Sequence, residues 1–327
     1  MNQTKKILIT VAFACIVLGI TILFVAAGRI GFDFYELNGL ESQSQTHTVT
    51  EEFKSLDIDT VEADVLILRA EDGVCRVVCE ESDKVYHTVS VIDGTLSVKR
   101  VDLRKWYEHI GFFWCKMSVT VYLPHDSYDA LDLESVSGNI TVQNEFSFSN
   151  GEISSTSGNI FYTGAVENQI ALHSVSGDIE ARILTANNAE CKATSGDIKI
   201  DTATLTGKLF VKTVSGEIEV REGNADRIEI SSTSGNVALD KVQAVSHLQL
   251  DTTSGEITFC DADAKTVWIK SVSGNIDGSF LTPKSFVVDT LSGSVSVPQS
   301  VADAGLCELY TTSGNIRVVT ESHGGDD

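Results

Sequence analysis

A Ser-Gly pair followed by Asn, Asp, Glu or Ser and then Ile or Val occurs ten times between Ser137 and Ile316. Its glycines are Gly138, Gly158, Gly177, Gly196, Gly216, Gly235, Gly255, Gly274, Gly293 and Gly314, spaced 19 to 21 residues apart. A fixed period near 20 residues marks an array whose units cannot bury their apolar faces alone and must stack on neighbours. Apolar residues alternate on both sides of each Gly, as in Leu131 and Leu133 before Gly138 and Ile140 and Val142 after it. This period-two pattern predicts two short strands per unit, joined at Ser-Gly. Three residues before Gly only Ser, Thr or Ala occurs, so a small side chain fits inside the bend. The Gly itself supplies either a positive φ or a close backbone approach that a Cβ would forbid.

Two folded forms satisfy the pattern. In an all-β solenoid each unit is one coil, and about ten coils spaced ~4.8 Å apart make a rod roughly 48 Å long. In an antiparallel meander the Ser-Gly pairs would be hairpin turns instead. The near-constant unit length and the small residue at one interior corner favour the solenoid, because a meander has no need of equal units.

Ahead of the array, Ile7 to Gly28 is a run of 22 uncharged residues. At ~1.5 Å per residue it is long enough to cross a hydrocarbon core of roughly 30 Å, and longer than the apolar stretch of a typical cleaved signal. It reads as one N-terminal transmembrane helix, an uncleaved anchor. Lys5 and Lys6 precede it, which places a short tail of residues 1–6 in the cytoplasm and the repeats outside a bacterial plasma membrane. Residues 29–49 read as a tether and residues 50–130 as a β-rich N-terminal part of the same body, interrupted by an aromatic insert over 101–116. The repeats proper run over 131–320, and 321–327 is a polar tail. Asp93-Gly94 supplies a hairpin turn within the N-terminal part.

The formal charge of −22 repels phosphate backbones, which argues against nucleic acid as a partner. Seven cysteines without a CxxC pair imply neither a disulfide framework nor a metal-site spacing. Cys75 and Cys79 share a strand face about 13 Å apart, too far to bridge. Cys191 and Cys307 occupy positions that other units fill with Leu, Ile, Val or Phe, so they read as core residues.

The N-terminal span, the strand block between Asp57 and Val98, the segment Tyr122-Leu123-Pro124 and the serial Ser-Gly-Asn/Asp-Ile units resemble the bacterial putative-adhesin family, a group of β-repeat envelope proteins of unknown function. The resemblance covers about residues 50 to 320. It implies a β-helix-like body outside the cytoplasm with roles in surface interaction or envelope stress, and it brings no catalytic motif and no cofactor.

Two departures from the repeat are candidate binding sites. Trp106, Tyr107, Phe112, Phe113 and Trp114 put five aromatics into nine residues. They suit either a partner hot spot or a cap on the open end of the solenoid, and capping is favoured because an uncapped coil exposes its core and strand edge. Four residues before Gly, His173, Lys192 and Lys212 fall in three successive coils and would form a basic strip for an acidic polymer. The residue after Gly is Asn, Asp, Glu or Ser, a choice that turn chemistry explains without a metal. No paired carboxylates of a glycoside hydrolase occupy adjacent coils at the exposed position four before Gly. The chain thus reads as a non-enzymatic surface protein whose partner is a cell-surface glycan or an envelope protein. A binding module of an envelope-stress signalling system is the alternative, and a carbohydrate-active enzyme the remote one.

Overall fold

The computed structural model describes residues 16–22, 25, 42–106, 116–143 and 146–320. Residues 16–22 and 25 are helical, and the rest of the apolar run over 7–28 lies outside the described residues. Among the described residues no helix is long and apolar enough to cross a membrane.

The array is a parallel β-solenoid. The strand before each corner pairs in parallel with its counterpart in the adjacent coil: Leu133 with Ile153, Ile153 with Leu172, Leu172 with Cys191 and Cys191 with Val211. The strand after each corner does the same, through Ile140, Ile160, Ile179, Ile198 and Ile218. A meander would require antiparallel pairing here, so that alternative fails. Inward side chains stack into apolar columns, and Ile153, Leu172, Cys191, Val211, Leu250 and Ile269 are fully buried. Each fully buried aliphatic side chain contributes about 1.5–3 kcal/mol, and stacking lets one coil cover the next. Cys191 and Cys307 lie in these columns, as their positions in the repeat predict.

The stacking order departs from chain order at both ends. The N-terminal part comprises β1 (Gln43–Val49), β2 (Ser55–Asp59), β3 (Asp64–Arg69), β4 (Cys75–Glu81), β5 (Val85–Ile92), β6 (Thr95–Asp102), β7 (Ser118–Leu123), β8 (Ser127–Ser135) and β9 (Ile140–Val142). The coil made by β2 and β3 lies between the β6–β7 coil and the β8–β9 coil, paired in parallel with both. At the other end, the last coil in the chain, Gly305–Ser313 and Ile316–Thr320, inserts between Ile257–Phe280 and the coil that precedes it in sequence. Skipping one layer means a step of about 10 Å, which the three residues Leu281 to Pro283 can span at ~3.3 Å each. The result pairs the first and last coils on both edges, where chain ends otherwise fray.

The N-terminal edge is closed by antiparallel strands. β5 forms a hairpin with β6, turning at Asp93 (φ 50°) and Gly94 (φ 75°). β4 pairs with β7, and β1 pairs with β4. The segment expected to be tether up to residue 49 therefore ends in a strand, whose polar alternation suits an exposed edge. At the C-terminal edge, Lys284–Ser292 is partly covered by its own return segment. Val301 N–H donates to the Lys284 carbonyl at 3.1 Å, and Phe286 N–H donates to Ser300 Oγ at 2.9 Å.

Candidate binding surface

The Ser-Gly corners form a single column along the rod. A Cβ on any of the ten glycines would lie only 1.9 to 2.2 Å from the carbonyl oxygen of the corner residue stacked beneath it. Close approach, and not positive φ, is what demands glycine here. The column begins at Ala63, whose carbonyl faces Gly138. Residues 103–117 link β6 to β7. The hydroxyl three residues before Gly is used twice over. Ser135 and Ser155 Oγ accept the N–H of Gly138 and Gly158, while Thr213, Thr252, Ser271 and Thr311 donate to the glycine carbonyl of the adjacent coil.

The residue after Gly builds a second ladder. Asn159 N–H donates to Asn139 Oδ1, Asp178 N–H to Asn159 Oδ1 and Asp197 N–H to Asp178 Oδ1, each at 2.9 Å. At the bend the backbone N–H points along the stack with no strand partner, and the short side chain of the neighbouring coil satisfies it. Glu217 and Glu256 are a methylene too long for this, and the amides of Asn236 and Asn275 donate to them instead, at 3.2 Å. These polar groups are committed to holding the rod together.

The outer face of the strands before the corners is where side chains are presented. His173, Lys192 and Lys212 stand in register on successive coils. They are not a bare cationic strip, because Glu190, two residues before Lys192 on the same face, accepts from His173 Nε2 at 2.9 Å and from Lys192 Nζ. Burial pushes the Glu190 carboxyl up, but these two hydrogen bonds outweigh it and hold the group below the usual carboxylate range. Two coils on, Glu229 is likewise gripped by Lys208 and Arg227, each at 2.5 Å.

Between these two acids, in register with both, lies Phe210. Lys192 and Lys208 sit over its ring at 5.4 and 5.0 Å from the centroid. With Gln169 and Asn188 they line a shallow basin of about 290 Å³. The row containing Phe210 continues through Gln249 to the half-buried Trp268. Sequence reading passed over this row, six residues before Gly. Its alternation with the buried positions five and seven before Gly was the available signal.

Trp106 is 77% exposed, and Tyr107, Phe112, Phe113 and Trp114 lie outside the described residues. Strands β1, β4 and β5 pair over the N-terminal edge. At the base of the insert, Arg100 Nη2 donates to Glu62 Oε1 at 2.9 Å and to Asp102 Oδ2 at 2.8 Å, and Arg104 chelates Asp102. The Arg104 hydrogen bond holds the Asp102 carboxyl far below its ordinary range.

A second unforeseen grouping lies under the cap. Cys79 and Glu81 project inward from β4 and meet His87 from β5, all three buried. Their spacing matches no common metal motif, and the turn between β4 and β5 that brings them together is not part of the repeat.

No curated protein matches the chain. Among solved structures it is similar to a putative adhesin from Bacteroides fragilis NCTC 9343, at 17% identity and TM-score 0.41, covering 85% of this chain and 97% of the other. It is also similar to a putative lipid binding protein from Parabacteroides distasonis ATCC 8503, at 16% identity and TM-score 0.45, with 85% and 97% covered. A putative adhesin from Parabacteroides merdae ATCC 43184 has 13% identity and TM-score 0.37, with 85% and 96% covered. The Toastrack DUF4097 family model matches residues 53–258 and 239–326, which together take in every strand from β2 onward and every Ser-Gly corner. The chain is a member of the Toastrack DUF4097 family.

Proposed function

We propose that this protein is a non-enzymatic, membrane-anchored rod that holds a binding face outside a bacterial cell and engages a cell-surface glycan there. The observation carrying the reading is the Phe210 platform, an aromatic ring set between two lysines that are themselves paired with Glu190 and Glu229. A ring face amid paired charges and the amides of Gln169 and Asn188 suits a neutral or zwitterionic sugar chain better than a polyanion. Apolar contact comes from the ring and orientation from the polar rim. A repeat rod suits this role because corner and core residues are fixed by stacking while the outer rows are free to vary. The uncharged run from Ile7 to Gly28 supports the anchor, with the N-terminus cytoplasmic.

Glycan-array binding by the full-length chain in detergent tests the reading. Binding that survives 0.5 M salt and is lost in Phe210→Ala supports it. Binding only to sulfated or uronic polymers, abolished by salt, would instead restore a polyanion role for His173, Lys192 and Lys212. Turnover of any bound glycan would contradict the non-enzymatic reading.

A second reading, a binding module of an envelope-stress signalling system, is favoured by Trp106. It stands 77% exposed beside the charged network of Glu62, Arg100, Asp102 and Arg104. Capture of one envelope protein from intact membranes that is lost in Trp106→Ala, with thermal unfolding unchanged, would support it.

A further inference from the structure

Cys79, Glu81 and His87 are the densest group of metal-ligating side chains among the described residues, and the polar accounting around them does not close. Their relative exposures are 0%, 1% and 2%, and one candidate ligand atom from each lies within 4.8 Å of the other two. Strand alternation produces the grouping. Cys79 and Glu81, two residues apart on β4, face the same way, and the turn at Ser82 to Lys84 brings His87 back over them. Glu81 Oε2 accepts from the backbone N–H of His87 at 2.7 Å and lies 3.2 Å from His87 Nδ1. Glu81 Oε1 has no hydrogen-bond partner among the described residues. A buried carboxylate oxygen without a donor is costly. Arg100 pairs with His87 across β5 and β6, but its guanidinium is held by Glu62 and Asp102.

His87 is oriented from its far side. Its Nε2 lies 3.0 Å from Thr60 Oγ1, a residue 1% exposed. The Thr60 hydroxyl can accept from or donate to Nε2; in the tautomer with Nε2–H donating to Thr60, the Nδ1 lone pair faces Glu81 and is open to a metal. A histidine whose second nitrogen donates to a fixed oxygen is the usual form of a metal-bound imidazole.

We propose that Cys79 Sγ, Glu81 Oε1 and His87 Nδ1 bind one zinc ion, which ties β4 to β5 at the N-terminal end of the solenoid. The ligand chemistry suits zinc, which takes thiolate, imidazole and carboxylate at about 2.0–2.3 Å in tetrahedral geometry. Charge balance suits a buried site, because a thiolate and a carboxylate together neutralise the ion. Binding releases the thiol proton to solvent, and no redox step is involved. The fourth position is left for a water. Closing the three ligand atoms onto one ion requires movements of about 1 Å, within the reach of χ rotations.

The test uses the full-length chain, stripped with a chelator and titrated with Co2+ and then Zn2+. The expected result is about one equivalent of Co2+, with a thiolate-to-cobalt charge-transfer band that Zn2+ displaces. The band should persist in Cys260→Ser, which removes the exposed thiol, and vanish in Cys79→Ser. Thr60→Val should keep the band but weaken binding by about 10- to 100-fold. Wild-type protein that takes up no stoichiometric Co2+ would overturn the proposal without recourse to any variant. Survival of the band in a folded Cys79→Ser chain would overturn it equally, leaving Glu81 and His87 as a metal-free hydrogen-bonded pair.

Discussion

The carbonyl oxygen of Gly138 lies 2.0 Å from the point that a Cβ on Gly158 would occupy. Backbone, not side chain, is what that atom would strike, and rotamer changes cannot relieve the clash. Gly196→Ala, at an interior corner with the same 2.0 Å approach, should therefore destabilise the protein by about 3 kcal/mol or more. Urea unfolding monitored by circular dichroism measures it. The reverse change at the head of the column, Ala63→Gly, removes no such contact and should cost only about 1 kcal/mol.

The side-chain ladder beside the corners should be weaker and local. Asn159→Ala removes the acceptor for Asp178 N–H at an exposed bend, where water can replace it. A loss of about 0.5–1.5 kcal/mol is expected, with faster amide exchange at Asp178 alone.

Acid should loosen the base of the insert. The Asp102 carboxyl is held down first by its hydrogen bond to Arg104, so it stays ionised in the folded chain well below the pH at which it protonates in the unfolded chain. Its contribution is fully present above the unfolded value of about 3.9 and is lost as pH falls from there through the folded value. Asp102→Asn should remove that stretch of acid dependence and cost about 1.5–3 kcal/mol at neutral pH. Denaturant midpoints of both proteins between pH 2 and 7 check the sign.

Removal of the Phe210 ring should separate binding from folding. Phe210 is half-buried on the outer face, its neighbours in the stack are Glu190 and Glu229, and the core columns do not include it. Phe210→Ala should abolish glycan binding while lowering the thermal midpoint by only a few degrees, about 1 kcal/mol.

The coil was legible in the sequence because the Ser-Gly corner couples backbone geometry to residue type at every turn. Only Gly fits beneath a carbonyl at 2 Å, and only Ser, Thr or Ala fits inside the bend. Stacking order at the ends was not legible, for a related reason. Ile269 can cover Leu309 or Val288 equally well, since every coil offers the same apolar ladder, and nothing in the pattern addresses one neighbour over another. The outer face was legible only in part. His173, Lys192 and Lys212 were visible as a register, but Glu190 neutralises two of them from the adjacent outward row. Cys79, Glu81 and His87 meet across the turn between β4 and β5, in a cap whose antiparallel strands carry no repeat to reveal it.

Cysteine pairing at the C-terminal end tests the account of the stack most directly. Ser273 and Ser313 are exposed partners on adjacent parallel strands, and Ser292 is the partner of Ser313 on its other side. In a Cys260→Ser background, Ser273→Cys with Ser313→Cys should oxidise readily to a bond, since neighbouring strands about 4.8 Å apart are within disulfide range. Ser273→Cys with Ser292→Cys, two layers apart, should not. Bond formation in the second pair and not the first would mean that the coils stack in chain order, and failure of both would contradict the parallel solenoid.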